Sequence, residues 1–301
     1  MWTPQLPNFI RENDALADFD ILKGSLSMLV RVITSLIGVA VMTPIMWFSD
    51  TYVFPLALAF FSLMALIAVF SCIKLRGKLF ITLPTYIIGV AMPFLCKYVG
   101  ELYKISAILF GAIFIYLLYL MFCAVIFHKR CDLSTLSVCF ILVIYVIGGF
   151  SCMQVLRGLP DGILAVISVI LAAWVTDIFA YFTGKLIGKH KLCETISPKK
   201  TIEGSIGGIV FCAIVFVIYA LIIFNGSTPT YAYVFMVLVS IVLSVVAQIG
   251  DLTLSLFKRR FGIKDFGTLF PGHGGVLDRF DSIIAVAPVF LIIILFANYI
   301  I

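Results

Sequence analysis

Acidic and basic residues are concentrated in residues 258–281, KRRFGIKDFGTLFPGHGGVLDRFD, of an otherwise apolar chain. Asp278 and Asp281 are three positions apart, so they share one face of a predicted helix. Asp251 lies upstream and is expected at the same level of the membrane. Hard cations such as Mg²⁺ bind carboxylate oxygens together with substrate phosphates. Three convergent carboxylates among basic residues therefore indicate a metal and polyphosphate site.

The same stretch also admits purely structural interpretations. Asp278 and Asp281 could cap the N-terminus of the last helix and favour its positive end. The sequence PGHGG, residues 271–275, predicts a turn whose glycines allow positive φ and close backbone approach. Such a turn could direct N–H groups to a phosphate, or it could be an ordinary tight turn. His273 could donate to a phosphate or satisfy the turn, and a single histidine is weak support for zinc.

Polar residues recur at steps of three or four along the eighth apolar segment. Those steps put them on one face of a helix that leaves the membrane near Asp251. A polar stripe on a membrane helix must face protein or water rather than lipid. The stripe consists of Ser244, Gln248, Asp251, Ser255 and Lys258 or Arg259.

The sixth apolar segment carries Asp177, about five residues from its predicted cytoplasmic end. An ionisable residue inside a membrane is costly, and it indicates a functional site. The loop that follows, ISPKKTIEGSIGG, places Lys199 and Lys200 just before Thr201 and the seventh segment. These lysines either bind phosphate or anchor the loop at the cytoplasmic surface, and both interpretations remain open.

The composition places the chain in a membrane. Of its 301 residues, 63% are hydrophobic and only 12% are charged, and the mean hydropathy is +1.19. Soluble domains of this length are far less apolar and carry about twice the charged fraction. The formal net charge of +6 suits anionic lipid or phosphate ligands, although basic loops are common in membrane proteins. We expect no nucleic-acid partner.

Nine apolar segments are long enough to cross about 30 Å of hydrocarbon. We therefore predict an all-α polytopic membrane protein with about nine transmembrane helices. Most of the 21 Lys and Arg lie on the cytoplasmic side if the N-terminus is cytoplasmic and the C-terminus is outside, so we predict that orientation. The segments lie near residues 32–48, 52–71, 79–96, 105–127, 133–152, 162–183, 205–224, 231–250 and 282–301.

The chain is expected to have three regions. Residues 1–31 form an N-terminal cytoplasmic segment, and residues 32–152 hold the first five transmembrane helices. Residues 162–301 form the catalytic region, which contains helices six to nine. Two basic loops of this region, 184–204 and 251–281, are expected to face the cytoplasm and carry the candidate site.

These residues together resemble the signature of the phosphatidate cytidylyltransferases, also called CDP-diacylglycerol synthases. The C-terminal part of that signature is filled without a gap by Ser255, Lys258, Arg259, Lys264, Asp265, Gly267, Phe270, Pro271, His273, Gly274, Gly275, Asp278, Arg279 and Asp281. A long match of this kind is highly specific.

Three upstream blocks carry the same resemblance, which is strong over about residues 174–281. The family's S-x3-Q-x-G-D pattern is similar to Ser244, Gln248, Gly250 and Asp251. Its S-P-K-K-T-x-E-G loop is similar to residues 197–204. Its W-x2-D-x2-A-Y-x2-G-x3-G block resembles Trp174, Asp177, Ala180, Tyr181, Gly184 and Gly188.

The resemblance implies transfer of CMP from CTP to phosphatidate, which yields CDP-diacylglycerol and pyrophosphate in phospholipid biosynthesis. It also implies Mg²⁺ held by Asp251, Asp278 and Asp281, and it leaves room for a monovalent cation such as K⁺. The catalytic and phosphate-binding candidates with basic side chains are Lys199, Lys200, Lys258, Arg259, Lys264, His273 and Arg279. Further substrate-binding candidates are Ser197, Thr201, Ser244, Gln248, Ser255, Gly274, Gly275 and Asp177.

The expected partners are CTP, phosphatidate and the lipid bilayer, with a homodimer expected by family analogy alone. We expect a bacterial plasma membrane and an active site that faces the cytoplasm. A CTP-dependent polyprenol or phytol kinase is one alternative, and it would move the γ-phosphate to an alcohol and release CDP. A cation-coupled transporter is another. It would use Asp177 and the loop carboxylates as ion sites, but it would not explain the basic residues and paired glycines on one membrane face.

Overall fold

A computed structural model describes residues 33–34, 36–129, 131–224, 229–267 and 274–300 of the chain. The predicted N-terminal segment, 1–31, lies outside the described residues, and so do Phe270, Pro271 and His273 of the predicted turn.

The described residues form helices and one short hairpin. The hairpin consists of β1 (Lys191–Cys193) and β2 (Ser197–Thr201), which pair antiparallel between the sixth and seventh helices. The helices are α1 (Leu36–Trp47), α2 (Val53–Cys72), α3 (Leu79–Val99), α4 (Leu102–Ile126), α5 (Leu133–Gly158), α6 (Gly162–Ile187), α7 (Ile202–Phe224), α8 (Thr230–Arg260) and α9 (Leu277–Ile300).

Eight of these helices, α2 to α9, are long and apolar enough to cross a membrane. The all-α polytopic prediction is confirmed to this extent, and the chain is an integral membrane protein. The first predicted segment, 32–48, corresponds in the described residues to the shorter helix α1. The segment 79–96, interrupted in sequence by Pro84 and Pro93, is one continuous helix, α3.

The helices follow from the apolar sequence because a helix satisfies its own backbone hydrogen bonds in lipid. The outer faces are apolar as well: Phe110, Ile115 and Val125 on α4 are all exposed. The core lies between α2, α5 and α9, where Phe70, Phe150 and Ile284 are fully buried. The N-terminal helices thus form the wall against which the last helix packs.

Glycines allow the helices of the predicted catalytic region to approach closely. A Cβ atom on Gly149 of α5 would lie 2.5 Å from Cβ of Ile284 on α9, closer than real Cβ atoms come. A Cβ atom on Gly250 of α8 would lie 2.5 Å from Cβ of Ala285 on α9. On α7, a Cβ atom on Gly204 would lie 2.5 Å from the carbonyl oxygen of Ala180 on α6. Small residues of this kind set close packing between membrane helices.

The polar ends of four helices meet at one end of the bundle. The C-terminal parts of α6 and α8 and the N-terminal parts of α7 and α9 lie there, and the β1–β2 hairpin lies beside them. Residues 184–204 are therefore mostly helix ends and hairpin rather than an irregular loop. Most of the predicted site residues lie on these elements.

Candidate active site

Three carboxylates on three helices form the centre of the site. Asp177 of α6, Asp251 of α8 and Asp281 of α9 are close enough to interact electrostatically with one another. We call these three residues the intramembrane acid cluster. Asp281 is 8% exposed, and no ion pair joins it to a basic residue within the described part of the chain. A buried carboxylate without a basic partner is costly unless a cation or proton compensates its charge.

Ser282 links two members of the intramembrane acid cluster. Its hydroxyl donates to Oδ2 of Asp177 at 3.1 Å, and its backbone N–H donates to Oδ1 of Asp281 at 2.8 Å. Tyr145 of α5 supports the same turn, since its hydroxyl donates to the carbonyl oxygen of Asp281 at 2.8 Å. The carboxylates of α6 and α9 are therefore held in a fixed relation by neighbouring hydroxyl groups.

Asp177 lies deeper in its helix than the hydropathy suggested. The apolar run ends near residue 183, but α6 continues through Gly184 and Lys185 to Ile187. Asp177 is consequently ten residues from the end of α6, whereas its distance of about five residues from the cytoplasmic end of the membrane span stays a prediction. Its side chain is exposed on the α6 surface between the exposed Trp174 and Ile178, so the cluster is open to that side.

Asp251 is paired with a lysine of the hairpin. Lys200 of β2 forms an ion pair with Oδ2 of Asp251, and both side chains are about one-quarter exposed. Oδ1 of Asp251 accepts a long hydrogen bond, 3.4 Å, from the hydroxyl of Ser255 one turn further along α8. The predicted polar stripe on α8 thus meets the predicted lysine loop at this carboxylate.

Asp278 has different surroundings from Asp281. Its Oδ1 pairs with Nζ of Lys258 at 2.9 Å, and the two side chains are 4% and 11% exposed. Its Oδ2 accepts backbone N–H groups of Phe266 at 2.8 Å and Gly275 at 2.9 Å. Both oxygens of Asp278 are therefore bound by protein donors that fix the two ends of the loop between α8 and α9. We call Asp278 and Lys258 the loop-anchoring pair.

Several predicted substrate-binding residues hold elements of the protein together. Ser244 is fully buried and accepts a 2.8 Å hydrogen bond from Thr176, which ties α8 to α6. Gln248 donates to the carbonyl oxygen of Ser205 on α7 at 3.3 Å. The hydroxyl of Thr201 accepts the backbone N–H of Gly204 at 3.1 Å, as an N-terminal cap of α7 does.

The remaining predicted basic residues surround this centre. Arg259 donates from Nε to the carbonyl oxygen of Ile196 at 3.3 Å, which connects α8 to the hairpin. Lys199 and Lys264 are exposed, and Arg279 is exposed and interacts electrostatically with Asp177. Three more predicted residues lie in the adjoining strand and turn. Ser197 is half-buried and Gly275 is buried. Gly274 has a positive φ of +86°.

Three further residues at or beside the site are difficult to identify from sequence spacing alone. Tyr145 lies in the fifth helix, 136 positions before the residue that it contacts, and no spacing rule connects the two. Thr176 and Ser282 are single hydroxyl residues beside Asp177 and Asp281, and hydroxyl residues are common in apolar helices. Only the packing of the helices brings Tyr145 and Ser282 to the acid cluster and Thr176 to Ser244 of α8.

The donor chemistry of the cluster suits a hard cation better than a soft one, because carboxylate oxygens are the preferred ligands of Mg²⁺. Within the described residues, no three His, Cys, Asp or Glu side chains are arranged as one coordination shell. Lys200 covers one oxygen of Asp251, and Ser282 donates to Asp177 and Asp281. A cation bound here would have to displace or complement these donors, with substrate phosphates supplying the other ligands.

Comparisons with known proteins give a family for this arrangement. Residues 29–297 match the family model described as "Cytidylyltransferase family". A phosphatidate cytidylyltransferase of Staphylococcus haemolyticus (strain JCSC1435) is 34% identical over 268 residues, which cover 89% of this chain and 99% of that protein. The phosphatidate cytidylyltransferase of Staphylococcus aureus (strain COL) is 34% identical over 272 residues, with the same coverage of both chains.

Proposed function

This chain belongs to the cytidylyltransferase family, and we propose that its intramembrane acid cluster is where CMP passes from CTP to phosphatidate. The family predicted from the signature residues is confirmed by these relatives. The protein is a nucleotidyltransferase that makes CDP-diacylglycerol, with pyrophosphate as the second product. The observation that supports the cluster as the reaction site is Asp281, which is buried beside Asp177 and Asp251 and forms no ion pair among the described residues.

The reaction needs little covalent help from the protein. A phosphate oxygen of phosphatidate forms a bond to the α-phosphorus of CTP, and the bond from that phosphorus to pyrophosphate breaks. The attacking phosphate is already anionic, so it needs no strong general base. Positioning of the two substrates and neutralisation of their charges can therefore account for the catalysis.

We propose Asp251 and Asp281 as the ligands of Mg²⁺, because they belong to the acid cluster and interact electrostatically with each other. When bound, Mg²⁺ would offset the negative charge on the CTP phosphates and on the departing pyrophosphate. Asp278 was the third ligand expected from the sequence, and we propose instead that it anchors the loop through Lys258 and two backbone N–H groups. Asp177 adds a third negative charge, which supports a proposed monovalent cation such as K⁺.

Basic side chains around the cluster would bind the phosphates of both substrates. Lys200 neutralises Asp251 and lies at the mouth of the site, where it can also meet a phosphate group. Arg259 donates to the hairpin and Arg279 interacts electrostatically with Asp177, and we propose that both orient CTP. His273 stays a candidate phosphate donor on the basis of the signature alone, since it lies outside the described residues.

The lipid substrate would reach the cluster from the bilayer. Asp177 is exposed on the α6 surface between apolar side chains, so a lipid phosphate can approach it without leaving the membrane. We propose that phosphatidate enters along this surface, whereas CTP enters from the basic end of the bundle. The excess of Lys and Arg at that end supports a cytoplasmic active site in a bacterial plasma membrane, with the N-terminus inside and the C-terminus outside. A homodimer remains a proposal from the family resemblance.

The reaction can be tested with CTP labelled separately at its α and γ phosphates. Purified full-length protein would be incubated with Mg²⁺, phosphatidate and each label, beside an Asp281→Asn variant. We expect the α label to enter the lipid and the γ label to appear in pyrophosphate, and we expect the variant to lose both. Entry of the γ label into lipid would indicate a kinase instead. No turnover, with cation flux into proteoliposomes, would indicate a transporter.

A further inference from the structure

A cavity of about 450 Å³ lies beside the catalytic elements and is lined by none of the predicted site residues. It lies between the α2–α3 turn, the N-terminal end of α5 and the C-terminal end of α8. Its polar lining includes Lys74, Lys78, Asp132, Thr135 and Arg260. Three basic residues against one acidic residue give this cavity a positive charge, which favours an anion.

The single carboxylate of the cavity is compensated locally. Asp132 accepts a hydrogen bond from the hydroxyl of Ser134 and lies immediately before α5. The N-terminus of a helix carries partial positive charge, so it offsets this carboxylate. Lys78 also lines the cavity, and its Nζ donates to Sγ of Cys131 at 3.4 Å. The positive charges of the cavity therefore dominate its field.

The three consecutive basic residues at the end of α8 contact three different parts of the protein. Lys258 pairs with Asp278, and Arg259 donates to the hairpin. Arg260 lines the cavity together with Phe261. Successive residues of a helix project about 100° apart, which explains why these three adjacent side chains contact different elements. The first two basic residues contact elements of the candidate active site, whereas Arg260 lines the separate cavity.

Lys74 has a backbone conformation that disfavours its side chain. It follows α2 with φ of +57°, where helices most often place glycine. Its N–H bonds to the carbonyl of Ser71, and the N–H of Leu75 bonds to that of Phe70. This pair of bonds is the usual glycine-ended helix terminus, and a lysine there costs free energy. Lys74 occupies this strained backbone position at the cavity, which indicates that its positive charge contributes to binding there.

The surroundings of the cavity favour a lipid as the source of the anion. Leu79 and Leu133 directly follow the lining residues Lys78 and Asp132, and they are 69% and 67% exposed. Both begin membrane-spanning helices, so the cavity lies at the level of lipid headgroups. We propose that this cavity binds the phosphate of an anionic phospholipid, whose acyl chains run along Leu79 and Leu133, at a site separate from the catalytic cluster.

Binding can be measured by thermal unfolding of the full-length protein in neutral detergent micelles. The probes are phosphatidylglycerol, phosphatidylcholine and inorganic phosphate, none of which is a substrate of cytidylyl transfer. A ligand that binds the folded state raises its melting temperature with saturation at its apparent Kd. We expect saturable stabilisation by phosphatidylglycerol but not by phosphatidylcholine. The same response in the Asp281→Asn variant would separate this cavity from the acid cluster.

Two variants and a matched control test the assignment to these side chains. We expect Lys74→Gly and Arg260→Gln each to weaken the apparent affinity for phosphatidylglycerol about fivefold, the effect of one basic residue near a lipid surface. Arg76→Gln removes a charge from the same turn outside the cavity and should change the affinity less than about twofold. Lys74→Gly should also raise the melting temperature without lipid, because glycine relieves the strained backbone. A weaker lipid response in that variant therefore cannot come from misfolding.

Three results would overturn the proposal. The first is unchanged phosphatidylglycerol affinity in both Lys74→Gly and Arg260→Gln. The second is an equal loss in Arg76→Gln, which would mean that only general surface charge matters. The third is saturable stabilisation by inorganic phosphate that both variants lose, which would assign the cavity to a soluble anion rather than a lipid. None of these results depends on whether the protein transfers CMP.

Discussion

The two carboxylates at the start of α9 are one helical turn apart, yet their surroundings differ. Asp278 has donors on both oxygens: a lysine on one and two backbone N–H groups on the other. Asp281 is buried beside two further carboxylates, and the hydrogen bonds to its carboxylate within the described residues come from Ser282. The loop-anchoring pair is thus electrostatically complete in itself, whereas the intramembrane acid cluster is not.

One sequence signature can therefore contain residues that stabilise the fold next to residues that we propose take part in the reaction. We propose that the same residue type, three positions apart, fixes a loop in one case and attracts a cation in the other. The surplus of negative charge in the acid cluster is a cost to the folded protein. We expect a bound cation to compensate this charge, since the phosphates of the substrates are themselves anionic. The charges of Lys258 and Asp278 already neutralise each other, so this pair requires no additional cation.

The largest expected effect is on activity, from Asp281→Asn. This change keeps the shape of the side chain and an oxygen that can accept the N–H of Ser282, but it removes the charge proposed to hold Mg²⁺. We expect CMP transfer to fall about 10³-fold or more, which is typical for loss of a group that stabilises transition-state charge. The melting temperature should not fall, because the change removes an uncompensated buried charge.

The control is Glu194→Gln, which removes an exposed carboxylate from the nearby hairpin. Its activity should remain within about threefold, because an exposed charge interacts weakly in water. Equal losses in the two variants would mean that general surface charge matters, and the distinction drawn for the acid cluster would fail.

The next effect is on stability, from Lys258→Met. The change leaves Asp278 buried without its basic partner, so we expect a loss of about 3–5 kcal/mol in the free energy of unfolding. The double variant Lys258→Met with Asp278→Asn should recover much of this loss, because neither charge then remains unpaired. The free energies of unfolding of the starting protein, the single variant and the double variant, measured in the same micelles, give both the loss and its recovery. A single variant as stable as the starting protein would show that the pair does not anchor the loop.

A smaller effect is expected from the packing that places both carboxylates. Gly149→Ala puts a Cβ atom within 2.5 Å of Ile284 on α9, and we expect it to cost about 1–3 kcal/mol through overpacking. The adjacent Gly148→Ala meets no atom within 4 Å and should be neutral or slightly stabilising. Comparison of the two melting temperatures checks the close approach of α5 and α9. Equal effects of the two changes would contradict it.

The smallest effect is expected from Lys200→Gln. The lysine and Asp251 are about one-quarter exposed, so breaking their ion pair should cost only about 0.2–1 kcal/mol of stability. The same change removes a proposed phosphate partner, and we expect the KM for CTP to rise about tenfold with a smaller change in kcat. Steady-state kinetics at saturating phosphatidate measure the KM for CTP and kcat separately. An unchanged KM would remove Lys200 from the substrate-binding residues.

The fold class could be predicted from the sequence because the apolar segments are long and nearly free of charged residues. It also placed Ser244, Gln248, Asp251, Ser255 and Lys258 on one face of a helix, and α8 carries all of them. Helical spacing is a local property, so it can be derived without tertiary structure. The family was predicted from the long signature and is confirmed by the relatives.

Features that depend on contacts between distant elements were not predicted. The strands β1 and β2 are three and five residues long, and β2 has the sequence SPKKT, which contains a proline and lacks strand-like alternation. The separate roles of Asp278 and Asp281 depend on the position of Lys258 in space. Tyr145 reaches Asp281 only because glycines let α5 approach α9. These are consequences of packing that residue types alone do not specify.

Manganese binding measured by electron paramagnetic resonance tests the central claim most directly. Mn²⁺ would be titrated into purified full-length protein and into Asp251→Asn, Asp281→Asn and Asp278→Asn, each first checked by thermal unfolding. We predict that the bound Mn²⁺ signal disappears in the Asp251 and Asp281 variants and persists in a folded Asp278 variant. Loss of binding in the folded Asp278 variant, with binding retained in the Asp281 variant, would contradict the division between the loop-anchoring pair and the intramembrane acid cluster.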